Sequence, residues 1–158
     1  MMADEVLYSD SLTKDFFQGD IFKGKIIAPS LVKDSDQNFS RPVTDLAIII
    51  TQTCDIQRRE FVHLCPLYSI KELESDLKQA WDENRVNNFT SQIKKNKIEY
   101  YFHLPAYSDA LVESFADINY IQTIPRKDLN NLVRLCGLSD YGRQNLAYRV
   151  GNIFLRPH

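Results

Sequence analysis

The sequence predicts a β-rich α+β fold: a small barrel with a helical insertion at about residues 69–97 and a C-terminal amphipathic helix. Two observations carry this. Short β-prone runs are separated by turn chemistry, and the apolar period changes twice, after Pro66 and after Ser139, from a strand's two to a helix's 3.6. The 158 residues suit one domain over 1–158, long enough to bury about 70% of the unfolded surface. With 44% hydrophobic and 25% charged residues, the composition excludes wholesale disorder, a collagen and a disulfide scaffold.

The elements follow in order. Residues 16–27 hold a Gly19-Asp20 turn and a β-rich stretch before Pro29, which predicts a first strand. Residues 30–45 are polar and contain Arg41-Pro42, which predicts a surface loop. The run from Leu46 to Cys54 lacks polar alternation in its first half, as a strand buried on both faces does. Phe61 to Leu67 follows a charged connector, Gln57-Arg58-Arg59-Glu60, and predicts a hairpin partner ending near Pro66. Ser69 and Glu72 form a capping box, and Ile70, Leu73, Leu77, Ala80 and Trp81 recur at helical spacing. A second short helix is expected within 84–97, with Phe89 and Ile93 on one face. Ile98 to Leu104 and Phe115 to Ile124 predict two further strands. Ser139 caps a last helix in which Leu146, Val150, Ile153 and Phe154 share a face until Pro157.

Nineteen basic against 21 acidic side chains give a net charge of −2, which argues against a surface that coats nucleic acid throughout. Any positive face must come from beyond residue 54, because the first third is the acidic one. Cys54, Cys65 and Cys136 are three and widely spaced, so no even disulfide framework exists and a reducing cytoplasm is the expected compartment. No export signal or membrane span is expected, since the longest apolar run, Leu46 to Ile50, is far too short to cross a bilayer.

One pairing of residues suggests chemistry directly. If the hairpin sets Ile56 opposite Phe61, Cys54 lies opposite His63 with Cys65 diagonal on the same face and Asp55 at the turn entrance. A thiolate and an imidazole so placed form an activated nucleophile, or with a fourth ligand a zinc site. The blander readings make Cys54 a small buried hydrophobe and Asp55 a cap for the amides of Gln57 and Arg58.

Several landmarks occur together and in order: Gly19-Asp20-Ile21, Arg41-Pro42-Val43, Ala47-Ile48-Ile49-Ile50, Cys65-Pro66, Ala116-Asp117-Ile118 and Gly137-Leu138-Ser139. In this order over residues 16–155 the chain resembles the MazF/PemK family of type II toxins. Within it the chain is similar to an uncharacterised bacterial branch with Thr-Gln-Thr-Cys-Asp, here Thr51 to Asp55, and a Leu-Ser-x-x-Gly-Arg helix, here Leu138 to Arg143. The resemblance implies an SH3-like barrel, a homodimer, an antitoxin or other protein partner, and cleavage of single-stranded RNA with no metal or cofactor. It places Arg41 near the family's catalytic arginine, with Thr44-Asp45-Leu46 between it and the apolar strand. Tyr68-Ser69 stands where the toxins tend to carry a Thr pair, which puts Ser69 in the catalytic position although it also suits a helix cap.

Metal-free RNA cleavage needs a base for the 2′-hydroxyl proton, a cation beside the phosphate and a proton for the leaving oxygen. Arg41 is the candidate cation, His63 or His103 the proton carrier, and Tyr68 or Tyr101 a stacking platform. Arg58 and Arg59 at the hairpin tip and Lys95 in the Lys94-Lys95-Asn96-Lys97 run are candidate phosphate contacts. Arg143, Arg149 and Arg156 are expected on the solvent side of the last helix. The alternative is a barrel that has lost its chemistry and serves as an interaction module, suggested by Tyr68-Ser69, the acidic balance and the insertion.

Overall fold

The unalternating run beginning at Leu46 lies in the middle of a sheet covered on both faces, where such a run belongs. The computed structural model describes residues 6–25 and 44–154. The first half of the chain gives β1 (Ile21–Lys23), β2 (Leu46–Ile49), a short helix α1 (Thr53–Ile56), β3 (Phe61–Ser69), α2 (Ile70–Leu77) and α3 (Glu83–Lys94). The second gives β4 (Tyr101–Leu104), β5 (Ser114–Asp117), β6 (Gln122–Pro125), a 3-10 helix (Arg126–Asn131), β7 (Val133–Cys136) and α4 (Asp140–Phe154). Every strand pairing is antiparallel, in the order β4-β5-β3-β2-β1-β7, with β6 also on β3. Ala47 and Ile49 pack with Phe22, Val62, Leu64 and Ile124, while Ile48 and Ile50 pack with Ile21, Cys65, Leu67 and Phe102.

The expected closed barrel is corrected to an open sheet. Among the described residues β4 and β7 stand at its two ends and no pairing joins them. The N-terminal segment bridges them instead. Tyr8 pairs with Leu138 just after β7, donates its hydroxyl to the Pro105 carbonyl just after β4, and stacks on Tyr107 at 4.6 Å. Side chains thus do what a closing ladder would have done, and Tyr8, Leu138 and Leu146 share a core with Phe102 and Leu104.

Several boundaries differ from expectation. The first strand is only Ile21–Lys23, because 17–20 form a turn in which Asp20 N–H donates to Phe17 O at 3.1 Å and Gly19 holds φ +90°. The expected loop at 30–45 falls almost wholly outside the described residues. β3 runs through Pro66 to Ser69, since one of its edges changes partner from β6 at 61–64 to β5 at 67–69. Pro66 sits in the gap between these partners, where its missing N–H removes no ladder bond. The strand expected over 115–124 is two, β5 and β6, because Asn119 N–H donates to Asp117 Oδ1 at 3.1 Å and Tyr120 N–H to Asp117 O at 3.2 Å, which makes a turn.

The helical insertion forms as the caps direct. Ser69 Oγ accepts from Glu72 N–H at 3.3 Å and starts α2, and Asp82 Oδ1 accepts from Arg85 N–H at 2.8 Å and starts α3. The helix expected to run through Trp81 ends at Leu77; Trp81 packs edge-on against Phe89 at 5.6 Å instead. Ile70, Ile93 and Phe115 bury the insertion against β5.

Ser139 caps α4, accepting from Gly142 N–H at 3.1 Å, and Leu146, Val150 and Ile153 pack on the core as expected. Phe154, one residue round from Ile153, is 54% exposed instead. A Cβ on Gly142 would stand 2.4 Å from the Leu7 carbonyl oxygen and 3.0 Å from Leu138 Cβ. Gly142→Ala should therefore lower stability by about 1–3 kcal/mol through overpacking, against the roughly 1 kcal/mol that helix propensity favours alanine. A urea midpoint above the parent's would refute this contact.

Candidate functional site

The described members of the expected catalytic set do not converge on one place. Arg41 lies outside the described residues. Cys54 and Asp55 are on α1, not on a strand, with Cys54 exposed. The ladder pairs Ile48 with Cys65 and Ile49 with Leu64, and Ile50 N–H donates to His63 O at 3.0 Å. Ile50, not Cys54, is therefore opposite His63, and the expected thiol–imidazole register is corrected by four residues.

The Thr51-Gln52-Thr53 sequence itself causes the change. Thr51 Oγ1 accepts His63 N–H at 2.8 Å in place of a ladder carbonyl, and Thr53 Oγ1 accepts Gln18 N–H at 3.1 Å. The Gln52 carbonyl accepts Asp55 and Ile56 N–H and opens α1. These hydroxyl bonds end the strand and begin the helix. At Asp55 the backbone carbonyl, not the carboxylate, takes Arg58 and Arg59 N–H at 3.1 Å, and the carboxylate lies 3.9 Å from Arg59 Nε.

His63, Arg58 and Arg59 are exposed at that end of β3, and His63 Nδ1 lies 2.9 Å from Thr123 Oγ1. Tyr68 and Ser69 are at the other end, separated from His63 by about 20 Å of extended chain. Tyr68 packs on Phe115 at 5.7 Å, and Ser69 is the α2 cap. Lys95, at the C-terminus of α3, marks a third place. The buried Cys65 and Cys136 have thiols pushed by burial up to about 12 and about 11, with nearby Asp117 and Asp20 adding to it, so both stay protonated. Among the described residues no three His, Cys, Asp or Glu side chains gather as a metal site.

A different set of residues does converge. A groove of about 790 Å³ runs between α4 and the stretch 96–103. Its helical wall is Tyr141, Asn145, Tyr148 and Asn152, and Lys97, Glu99 and His103 stand on the other wall. The helical residues are spaced four, three and four apart, so they form one stripe of α4. The neighbouring stripe, Gly142, Leu146, Val150 and Ile153, is the one that docks on the core, and this docking aims the polar stripe across the groove.

Asn96 and Arg149 fix the spacing of the walls. Asn96 closes α3 in the left-handed region, φ 55°, which asparagine tolerates, and its Oδ1 accepts His103 N–H at 2.9 Å. Arg149 donates to Asn96 O at 2.7 Å, Ile98 O at 3.2 Å and Glu99 O at 3.3 Å. The expectation that Arg149 points to solvent is thus corrected: its planar fork meets carbonyls left over where α3 ends. Arg143 also turns inward, 4.7 Å over the Phe17 ring and paired with Asp140, while Arg156 lies outside the described residues.

His103 belongs to the same wall. Its side chain is 13% exposed, and Nε2 lies 3.0 Å from Glu113 Oε2, whose other oxygen is 3.4 Å from Lys94 Nζ. Burial by itself would raise the Glu113 carboxyl. The His103 hydrogen bond and the Lys94 charge outweigh it and hold the group below its ordinary range, so it is ionised at neutral pH. Sequence reasoning missed the Tyr141, Asn145, Tyr148 and Asn152 stripe; its spacing of four, three and four is the signal that carries it, and nothing local announces which surface it faces.

No helix of the described residues is long and apolar enough to cross a membrane. No family model matches the chain, and no curated protein matches it. Among solved structures, the crystal structure of MazF (Form-I) from Deinococcus radiodurans is similar at a TM-score of 0.49 and 8% identity, over 91% of this chain and 100% of that one.

Proposed function

We propose that the protein binds single-stranded RNA in the groove between α4 and residues 96–103. The observation that carries this is the juxtaposition of Tyr141, Asn145, Tyr148 and Asn152 with Lys97 and His103 around one groove. Unpaired bases are recognised by stacking on aromatic rings and by hydrogen bonds to their edges, with cations beside the phosphates. Tyr148 is 72% exposed, a tyrosine left in water where core packing does not explain it. Asn145 and Asn152 offer both donors and acceptors to base edges. The ordered landmarks of the sequence point to the same substrate class. The homodimer and the antitoxin-like partner implied by the resemblance belong to this proposal, the partner being an acidic segment that competes with RNA for the same cations.

The interaction-module reading requires a contiguous apolar patch. Among the described residues the exposed apolar side chains include Phe61 on β3, Val133 on β7, Phe154 on α4 and Val112 between β4 and β5.

Fluorescence anisotropy with a labelled unstructured RNA tests the proposal. Tyr148→Ala should weaken binding roughly 5- to 100-fold, the loss of one stacked base. Lys97→Ala should weaken it and flatten its salt dependence, and Phe61→Ala, at the far end of β3, should leave it unchanged. Equal affinity of Tyr148→Ala, Lys97→Ala and the parent would refute the groove as the binding site.

A further inference from the structure

Resting on the RNA-binding reading, we propose that the groove is a pocket for one nucleoside monophosphate unit whose base carries an exocyclic amino group, taken either free or splayed out from a strand. Two ties cross from wall to wall. Arg149 on α4 donates to the carbonyls of Asn96, Ile98 and Glu99. At the other end the hydroxyl of Tyr8, which pairs with Leu138 just before α4, donates to Pro105 O. Leu7 and Pro105 line the groove there. A space tied at both ends suits a compact ligand better than a strand running through it. Its volume of about 790 Å³ lies within the roughly 300–1,000 Å³ of small-molecule pockets.

Between the ties the wall is the free edge of β4. Ile118 N–H donates to Tyr100 O at 2.9 Å, so the β4–β5 ladder bonds Phe102 with Ala116 and Leu104 with Ser114, and His103 turns its backbone away from β5. Asn96 Oδ1 takes the His103 N–H, whereas no donor among the described residues meets the His103 carbonyl. The edge therefore shows an acceptor without its donor. A further strand needs both and is turned away, while the N–H of an amino group fits. Across the groove Asn145 is half-buried, and its side-chain amide has no partner among the described residues. An asparagine amide holds adenine by accepting from N6 and donating to N7. The amino group has a second N–H, which goes to the His103 carbonyl. Tyr148 stacks on the base. Lys97 and Arg149 outnumber Glu99 along the groove, which favours a phosphate-bearing ligand over an amine cation.

The test titrates the full chain by calorimetry with adenosine monophosphate, inosine monophosphate and inorganic phosphate, and competes each against labelled RNA by anisotropy. The two nucleotides differ in the amino group, which inosine replaces with a carbonyl. Adenosine monophosphate should bind and displace the RNA. Inosine monophosphate should bind roughly 5-fold or more weakly, and phosphate alone should do neither. Asn145→Ala should narrow the gap between the two nucleotides, and Tyr148→Ala should weaken both. RNA that is bound but displaced by neither nucleotide at about 1 mM, where even weak sites fill, overturns the pocket and spares the RNA-binding reading. Equal affinity of the parent for the two nucleotides also overturns the proposal. Nucleotide binding without RNA binding sustains the pocket and overturns the RNA-binding reading, and absence of both overturns both.

Discussion

Replacing Arg134 with methionine should lower stability by about 3–5 kcal/mol, the cost of leaving a buried charge without its partner. The Asp20 carboxylate is 3% exposed; its Oδ2 accepts Phe17 N–H at 3.0 Å and Arg134 Nη1 at 3.0 Å. Its other oxygen crowds Gly137, where a Cβ would approach to 2.5 Å. Arg134 also donates to the carbonyls of Thr13 and of Asp15, the latter at 2.9 Å, so one guanidinium holds both the carboxylate and the segment leading to it. Methionine fills much of the volume and satisfies none of these acceptors.

The pH dependence has a definite sign. Burial raises the Asp20 carboxyl above its ordinary value even though the Phe17 amide, Arg134 and Arg143 pull it down. A raised carboxyl contributes stability that is complete below its unfolded value and is lost as pH rises through the folded one. Without Arg134 the folded value climbs further, so the deficit of Arg134→Met should be largest at neutral pH and shrink as pH falls toward the carboxylate range. Urea melts at several pH values check this: with a slope of about 2 kcal/mol per M, the neutral midpoint should fall by roughly 2 M. The double variant with Asp20→Asn should recover part of the loss. A deficit that does not vary with pH would refute the buried pair as its origin.

Ile48→Ala should cost about 2–5 kcal/mol. Ile48 has no exposed surface, lies in the central strand β2 between Ile21 and Cys65, and contributes to the larger of the two cores that sandwich the sheet. Its neighbours on both sides are strands, so the sheet cannot collapse into the space left. Ile48→Val should cost only about 0.5–1.5 kcal/mol. Val133→Ala, at a residue 63% exposed on β7, should stay within about 0.5 kcal/mol. Thermal melts of the three variants give the ranking directly, and equal losses at Ile48 and Val133 would contradict the assigned burial.

What could be read from residue order alone were the features whose causes are local. The run at 46–50 betrayed a strand buried on both faces, because both faces had to be apolar for it to lie there. Ser69 with Glu72, and Ser139, announced helix starts, since a hydroxyl that accepts an orphan amide does so within three residues. The Leu146, Val150 and Ile153 stripe foretold a docked last helix. The break at Asp117 was also local and was missed, because apolar alternation around it masked an Asp-x-Asn turn.

Distance along the chain hid the rest. The hairpin register slipped by four residues because Thr53 accepts a bond from Gln18, thirty-five positions away, and the strand becomes a helix to reach it. The open sheet depends on Tyr8 spanning from Leu138 to Pro105, a bridge that no local pattern contains. Caps and periodicity thus determined the central strand, the starts of α2 and α4 and the apolar face of α4. Only tertiary packing decided that Tyr141, Asn145, Tyr148 and Asn152 would look across a groove at Lys97 and His103, because the facing wall is held there by Arg149 on the carbonyls of Asn96, Ile98 and Glu99.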